Sequence, residues 1–265
     1  MNEVGLKDDL DLAITSARAA GRSLLGHFGR AIEVRYKTTD QPVTPADLEA
    51  DGLLREALLR GRPEYGWVSE EMSRGQSRTG ARTWVVDPLD GTANFIAGRG
   101  DFAVCLGLLE AGEPVLGVIH HPTENVTYWA RTGGGSFRNG ERIEASAMPK
   151  EGRVVVVSYS EAERGRIASV VDGELLLMGS TALKMMRVAE GHAHLYVSTT
   201  RKGIWDICAG SVIVAEAGGH IADLSGAPPR YEEPRRLVGG LIVAGRGGAE
   251  EIGRVASRFE SETHD

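Results

Sequence analysis

The sequence of 265 residues predicts an α/β fold, formed by one large unit or by two closely packed subdomains. Three observations support this fold class. Apolar residues make up 42% of the chain, which is enough to form a substantial core. The first 150 residues combine helical patterns with runs typical of longer strands. Beyond about residue 150, short apolar runs alternate with helical patterns, as expected for α/β layering.

Two helices are predicted near the start of the chain. Apolar residues recur at helical spacing over residues 10–28, which predicts the first helix. Thr44-Pro45-Ala46-Asp47 combines a capping hydroxyl, a proline at the first helical position and an acid three residues after the cap. A second helix is therefore expected to begin here and to end near residue 60.

Strands dominate the middle of the chain and alternate with helices after it. The predicted strands are 84–87, 102–109, 115–121, 126–130, 154–157, 175–177, 195–197, 220–222 and 241–243. Further helices are predicted over 161–171, from Thr181, after Asp206, and to about Phe259. We expect an α+β subdomain over residues 1–150 and an α/β subdomain over residues 151–265, with the functional site completed by both.

The charge composition argues against two classes of partner. Lysine and arginine total 30 against 37 acidic residues, so the formal net charge is −7. General attraction to a nucleic acid polymer or to a membrane surface is not expected at this charge. Residues 1–11 lack an apolar signal core, and no window approaches the about 20 apolar residues of a membrane span. The chain has only two cysteines, Cys105 and Cys208, which do not suggest a disulfide framework. A cytoplasmic location is therefore predicted.

The most informative stretch is residues 84–95, where an apolar strand delivers Asp87 and Asp90 onto a turn that Pro88 stiffens. Gly91-Thr92 can then present N–H groups and a hydroxyl to an anion. Carboxylates beside an anion site suit Mg²⁺, which binds few protein carboxylates and takes phosphate oxygens as further ligands. The stretch indicates metal-assisted phosphoryl chemistry. The alternative is a β-turn that uses Asp, Pro and Gly for shape alone.

Four segments, in the same order along the chain, resemble the inositol monophosphatase superfamily of lithium-sensitive, Mg²⁺-dependent phosphatases. They are residues 42–47, 69–71 and 87–92, and residues 204–206 followed by 216–219. The resemblance covers nearly the whole chain. It implies a layered αβαβα sandwich, hydrolysis of a phosphate monoester of a small metabolite by a metal-activated water, two or three Mg²⁺ ions, and a homodimer.

The resemblance also implies roles for individual residues. Thr92 and Asp47 would orient and deprotonate the attacking water, and Gly91 and Thr92 would bind phosphate. Simpler alternatives stay open from the residues alone, because Asp47 and Asp206 could act only as helix caps and Glu70 could be a solvated loop acid. The implied metal ligands are Glu70, Asp87, the backbone carbonyl of Leu89, Asp90 and Asp206.

Several sequence segments indicate the substrate, and they favour two different substrate classes. Asn94-Phe95 resembles the inositol monophosphatase form, which favours an inositol or sugar monophosphate. Residues 69–71, 101–106 and 179–184 resemble the bisphosphate nucleotidase branch, which makes 3′-phosphoadenosine 5′-phosphate the alternative. A metal-binding protein without turnover is a third hypothesis, which the intact Asp47 and Thr92 pair opposes. The predicted substrate-binding residues are Ser180, Thr181, Lys184 and Arg201, with Lys202 as an alternative to Arg201.

Two other patterns are predicted to be structural. His120 and His121 are adjacent on a strand, so their side chains should point to opposite faces and not share an ion. Gly133-Gly134-Gly135 lies between predicted strands and lacks the lysine of a phosphate-binding loop, so a hairpin turn is expected.

Overall fold

The computed structural model describes residues 3–39, 41–71, 80–231 and 239–262. The helices are α1 (Glu3–His27), α2 (Pro45–Gly61), α3 (Thr92–Ile96), α4 (Tyr159–Arg164), α5 (Arg166–Val170), α6 (Thr181–Ala189), α7 (Ile204–Glu216) and α8 (Ala249–Glu262). The strands are β1 (Arg35–Thr38), β2 (Gln41–Val43), β3 (Gly66–Ser69), β4 (Arg82–Asp90), β5 (Ala103–Glu110), β6 (Glu113–His121), β7 (Val126–Arg131), β8 (Gly135–Arg138), β9 (Glu141–Ile143), β10 (Val154–Val157), β11 (Glu174–Leu177), β12 (Leu195–Ser198), β13 (His220–Ala222) and β14 (Leu241–Ala244). In the described part of the chain, every helix is too short or too polar to cross a membrane.

The described strands form two sheets and a separate antiparallel pair, β1 with β2. The larger sheet has the order β3-β4-β5-β6-β7-β8-β9 and is antiparallel except for the parallel pair β3 and β4. The smaller sheet has the order β11-β10-β12-β14-β13. In it β10 runs parallel to β11 and β12, while β14 runs antiparallel to β12 and β13.

Alternation of side chains along the strands sorts the apolar residues into three cores. In β4, Trp84 and Val86 join the core beneath α1 and α2, whereas Val85 joins a central core with α6 and α7. In β10, Val156 belongs to the same central core, and Val155 joins a third core with α5 and α8. The layers therefore run helix, sheet, helix, sheet, helix, which confirms the αβαβα sandwich.

Helix α7 lies late in the chain but packs against the larger sheet. Its residues from 207 to 214 are all buried. Gly117 in β6 permits the close approach, because a Cβ atom there would lie 2.1 Å from the carbonyl oxygen of Ala209. The larger sheet ends at Ile143 and the smaller begins at Val154. The subdomain boundary near residue 150 stays a prediction, since α7 packs across that division.

Two elements differ from the sequence prediction. The helix predicted over 161–171 is divided into α4 and α5, because Gly165 between them adopts the left-handed conformation with φ of 69°. The strand predicted to end at Asp87 continues to Asp90, so Pro88 lies inside β4 and not in a turn. The pairing of β4 with β5 is irregular between Asp87 and Asp90, and such a bulge accommodates a proline that has no N–H to donate.

Candidate active site

Three carboxylates from separate elements meet near the end of β4. One oxygen from each of Glu70, Asp87 and Asp206 lies within 4.8 Å of the other two. Strands β3 and β4 are parallel, and the Glu70 N–H donates to the carbonyl of Val86 at 3.1 Å, which places Glu70 beside Asp87. Asp206 comes from the first turn of α7, where it also accepts a hydrogen bond from the N–H of Gly203 at 2.7 Å. Asp206 can therefore cap α7 and belong to the acidic cluster at the same time.

Burial and mutual repulsion make this acidic cluster unfavourable without a cation. Asp87 is 1% exposed, and its pKa is raised well above the usual value by burial, then by Glu70, Asp90 and Asp206. Burial and then Glu70 raise the pKa of Asp206 to about 7, although Lys202 opposes the shift. A bound cation would relieve both penalties. The donor atoms are all carboxylate oxygens, so the residues present fit a hard divalent cation such as Mg²⁺.

Asp90 is held by the beginning of α6. Its Oδ2 accepts from the Ser180 hydroxyl at 2.5 Å and from the Ala182 N–H at 2.7 Å, and its Oδ1 accepts from the Thr181 N–H at 3.2 Å. These bonds fix the carboxylate next to Asp87, whose pKa it raises. Ser180 and Thr181 are thus engaged with Asp90, and their contact with a substrate stays a prediction.

Asp47 contacts two threonines with different oxygens. Its Oδ2 accepts from the N–H of Thr44 at 2.8 Å and from its hydroxyl at 2.6 Å, which completes the capping box of α2. Its Oδ1 accepts from the Thr92 hydroxyl at 2.9 Å, and the same hydroxyl lies 3.0 Å from the carbonyl oxygen of Leu89. Burial raises the pKa of Asp47, and the bonds from Thr44 and Thr92 oppose this shift. Capping and a catalytic role are therefore compatible.

Gly91 lies between the acidic cluster and α3. It has φ of 101°, and a Cβ atom there would lie 2.8 Å from the carbonyl oxygen of Asp101, so glycine is required at this position. Gly91 is also the N-cap of α3, where the first N–H groups have no acceptor within the helix. The predicted phosphate-binding residues Gly91 and Thr92 are therefore placed beside Asp90 and Asp47.

Sequence reasoning missed Lys37, which contacts two acids of the site. Its amine lies 2.9 Å from Glu70 Oε1 and 2.7 Å from Glu71 Oε1. Although burial lowers it, the pKa of Lys37 is raised above its usual value by Glu70 and then Glu71. Burial raises the pKa of Glu71 to about 7. No sequence signal identifies Lys37, because it belongs to the short strand β1 and meets its partners only through the fold.

The predicted basic residues occupy different environments. Lys184 is 3% exposed, its amine lies 5.3 Å from the ring centroid of Tyr196, and burial followed by Lys202 lowers its pKa to about 7. Arg201 is exposed, and its contact with a substrate stays a prediction. Of Arg201 and Lys202, Lys202 is the residue that interacts with the acidic site. Its pKa is raised by Tyr196 and then Asp206, although burial lowers it.

The patterns predicted to be structural have structural partners. His120 and His121 bond to separate backbone carbonyls, at 3.1 Å and 2.9 Å respectively. The glycine turn joins β7 to β8, which confirms the hairpin. The N–H groups of Gly133 and Gly135 donate to the two oxygens of Glu216 at 2.7 Å each, so this turn binds a carboxylate at the end of α7.

Comparisons with known proteins agree over most of the chain. Residues 6–261 match the model of the inositol monophosphatase family. A Thermotoga maritima protein named fructose-1,6-bisphosphatase/inositol-1-monophosphatase is 36% identical over 224 residues, which are 83% of this chain and 86% of that protein. The 3′(2′),5′-bisphosphate nucleotidase CysQ of Aggregatibacter actinomycetemcomitans is 34% identical over 245 residues, 88% of this chain and 90% of the relative. A solved structure of a Thermotoga maritima IMPase superposes with a TM-score of 0.83 at 32% identity, covering 96% of this chain and 99% of that one.

Proposed function

Since the chain belongs to the inositol monophosphatase family and is a phosphatase acting on phosphate monoesters, we propose that it hydrolyses an inositol or sugar monophosphate with Mg²⁺. The observation that carries this proposal is the acidic cluster of Glu70, Asp87 and Asp206, together with the hydrogen bond from Thr92 to Asp47. A protein that only bound ions would need the cluster but not the Thr92 hydroxyl and the buried Asp47 carboxylate beside it. In this proposal Asp90 and the carbonyl of Leu89 complete the metal ligands.

The mechanism assigns distinct tasks to the residues around the ester. Mg²⁺ held by the carboxylates would polarise the phosphate and acidify a water. Thr92 donates its hydroxyl hydrogen to Asp47, so its oxygen is free to accept a hydrogen bond from that water. Asp47 takes the proton through Thr92, and the raised pKa that burial gives Asp47 makes it a stronger base than an exposed carboxylate. Gly91 and Thr92 bind the phosphate oxygens through backbone N–H groups.

The bisphosphate nucleotidase alternative is favoured by two basic residues. The charge of Lys202 contributes to the lowered pKa of Lys184, so the two side chains are near each other. Their amines could bind a second phosphate such as that of 3′-phosphoadenosine 5′-phosphate. The buried carboxylate of Glu161, which also acts on both lysines, opposes this alternative because it would repel a dianion. The inositol or sugar monophosphate is therefore preferred. The homodimer and the cytoplasmic location stay predictions.

The direct test is phosphate release from inositol 1-phosphate, fructose 1,6-bisphosphate and 3′-phosphoadenosine 5′-phosphate, with Mg²⁺ and with EDTA. We expect release to require Mg²⁺ and to be fastest from an inositol or sugar phosphate. The variant Asp90→Asn, which removes a charge at nearly constant size, should lower kcat/KM by about 100-fold or more. Fastest release from the nucleotide would replace the preferred substrate by the alternative. Release that EDTA leaves unchanged would contradict the proposed metal site.

A further inference from the structure

A second group of polar side chains, three of them buried and one half-buried, lies beside the acidic cluster. It consists of Glu161 in α4, Lys184 in α6, Tyr196 in β12 and Lys202 just before α7, and we refer to it as the Glu161 cluster. Glu161 is 2% exposed, Lys184 3% and Tyr196 0%. The charges of Glu161 and Asp90 both act on Lys184 and on Lys202. The Glu161 cluster is therefore adjacent to the proposed metal ligands and distinct from them.

Among the described residues, only one oxygen of the Glu161 carboxylate accepts hydrogen bonds. Its Oε1 accepts from the N–H of Thr199 at 2.5 Å, from the hydroxyl of Thr199 at 3.0 Å and from the hydroxyl of Ser198 at 3.2 Å. Its Oε2 is buried and has no hydrogen-bond partner among the described residues. A buried carboxylate oxygen is seldom left without a donor, because its lost hydration is then not replaced. Three bonds to Oε1 hold Oε2 in a fixed position, ready for a donor from outside the chain.

The amines and the phenol of the cluster leave this oxygen unpaired. Within the described residues, neither Lys184 nor Lys202 approaches Glu161 to the 4.0 Å of an ion pair. Lys202 donates to the hydroxyl of Thr200 at 3.0 Å, and the amine of Lys184 faces the ring of Tyr196. The Tyr196 hydroxyl has no hydrogen bond of normal geometry to any described residue, although the side chains of Thr181 and Ser198 lie near it. The described residues thus supply Glu161 Oε2 with no donor, although the charge of Glu161 acts on both amines.

We propose that the Glu161 cluster binds hydroxyl groups on the alcohol part of the substrate. Glu161 Oε2 accepts from one hydroxyl, and Lys184 and Lys202 donate to the oxygens of its neighbours. Adjacent hydroxyls suit this arrangement because each is both a donor and an acceptor. A second phosphate offers only acceptor oxygens near pH 7, so it would leave Oε2 unpaired and would be repelled by it. The inference rests on the proposed function and makes Glu161 a specificity-determining residue for polyhydroxylated substrates.

The test compares Glu161→Gln with wild type on two substrates. Inositol 1-phosphate carries hydroxyls on its alcohol part, and 4-nitrophenyl phosphate carries none. We expect Glu161→Gln to lower kcat/KM for inositol 1-phosphate by at least about 10-fold and to change kcat/KM for 4-nitrophenyl phosphate by less than about twofold. The matched control is Glu163→Gln, which changes an exposed glutamate of the same helix and should alter neither value.

The outcomes separate this inference from the proposed function. If wild type prefers the hydroxyl-bearing substrate and Glu161→Gln retains that preference, the Glu161 cluster does not bind the hydroxyls and this inference alone fails. If wild type hydrolyses 4-nitrophenyl phosphate but has no preference for inositol or sugar phosphates, the preferred substrate and this inference both fail. Should Glu161→Gln not fold, Lys184→Met removes a donor at similar volume, and the same selective loss is expected; an equal loss on both substrates would overturn the inference.

Discussion

Thr44 and Thr92 each donate a hydrogen bond to Asp47, but to different oxygens of its carboxylate. The bond from Thr44 belongs to the N-terminal cap of α2, which is a stabilising feature of many helices. The bond from Thr92 joins residues 45 positions apart and has no such local function. The two roles of Asp47 can therefore be separated by changing Thr92.

Replacing Thr92 tests the proposed proton path. Thr92→Ser keeps the hydroxyl, so kcat on inositol 1-phosphate should stay within about 10-fold of wild type. Thr92→Val keeps the shape but removes the hydroxyl, so kcat should fall by about 100-fold or more, as is usual for the loss of general acid–base catalysis. Steady-state kinetics at saturating Mg²⁺ measures both. Equal turnover by Thr92→Val and wild type would show that water reaches Asp47 without Thr92.

The residues of the site differ in how far the sequence could identify them. Asp47, Asp87 and Asp206 lie in short segments whose order matches a known superfamily, so the resemblance was sufficient to single them out. Lys37 and Glu161 belong to no such segment. Lys37 meets Glu70 across 33 positions, and Glu161 meets Ser198 across 37, so their surroundings exist only in the folded chain.

Whole elements were predicted more reliably than their ends. The strand before Asp87 was evident from its apolar run, but its continuation to Asp90 depends on pairing with β5, where Asp90 lies opposite Ala103. A segment that contains Pro88 cannot indicate by itself that β4 bulges at this proline while it stays paired with β5. Similarly, the apolar spacing over 161–171 carries no sign that Gly165 takes a positive φ and ends α4.

The contact between β6 and α7 gives a prediction for stability. Gly117→Ala places a methyl group against the backbone of Ala209, so it should lower the free energy of unfolding by about 1–3 kcal/mol. Gly26→Ala in α1 is the matched control, because nothing lies within 4 Å of its added carbon and alanine favours a helix by about 0.5–1 kcal/mol. Urea unfolding measures both changes. A Gly117→Ala protein as stable as wild type would mean that α7 can move away from the sheet without cost.

Across the whole molecule, the acidic cluster joins the larger sheet to helix α7 of the central layer. Asp87 comes from the larger sheet, and Asp206 comes from α7, which follows β12 of the smaller sheet. Both are carboxylates with raised pKa values, so their charges oppose the packing that brings them together. A bound cation would attract these carboxylates, so the cluster would then stabilise the packing that it opposes when no cation is bound.

The repulsion within the acidic cluster predicts how Mg²⁺ affects the melting temperature. Wild type should melt at a higher temperature with millimolar Mg²⁺ than with EDTA, because the cation offsets the repulsion among Glu70, Asp87 and Asp206. Asp87→Asn removes one of the repelling charges and one ligand. With EDTA it should therefore melt at or above the wild-type temperature, and it should gain much less from Mg²⁺. Differential scanning calorimetry of both proteins under both conditions would measure the two effects; an undiminished Mg²⁺ response in Asp87→Asn would place the cation elsewhere.

The packing of α7 on Gly117 also links the assembly of the acidic cluster to the docking of this helix. Asp206 is in the first turn of α7, and it reaches Glu70 and Asp87 only when that helix is seated on the larger sheet. A partly unfolded chain in which α7 is detached lacks one carboxylate of the cluster, even if both sheets have formed. Activity is therefore expected to require α7 to be docked on the larger sheet, and a chain that has lost this contact is expected to be inactive.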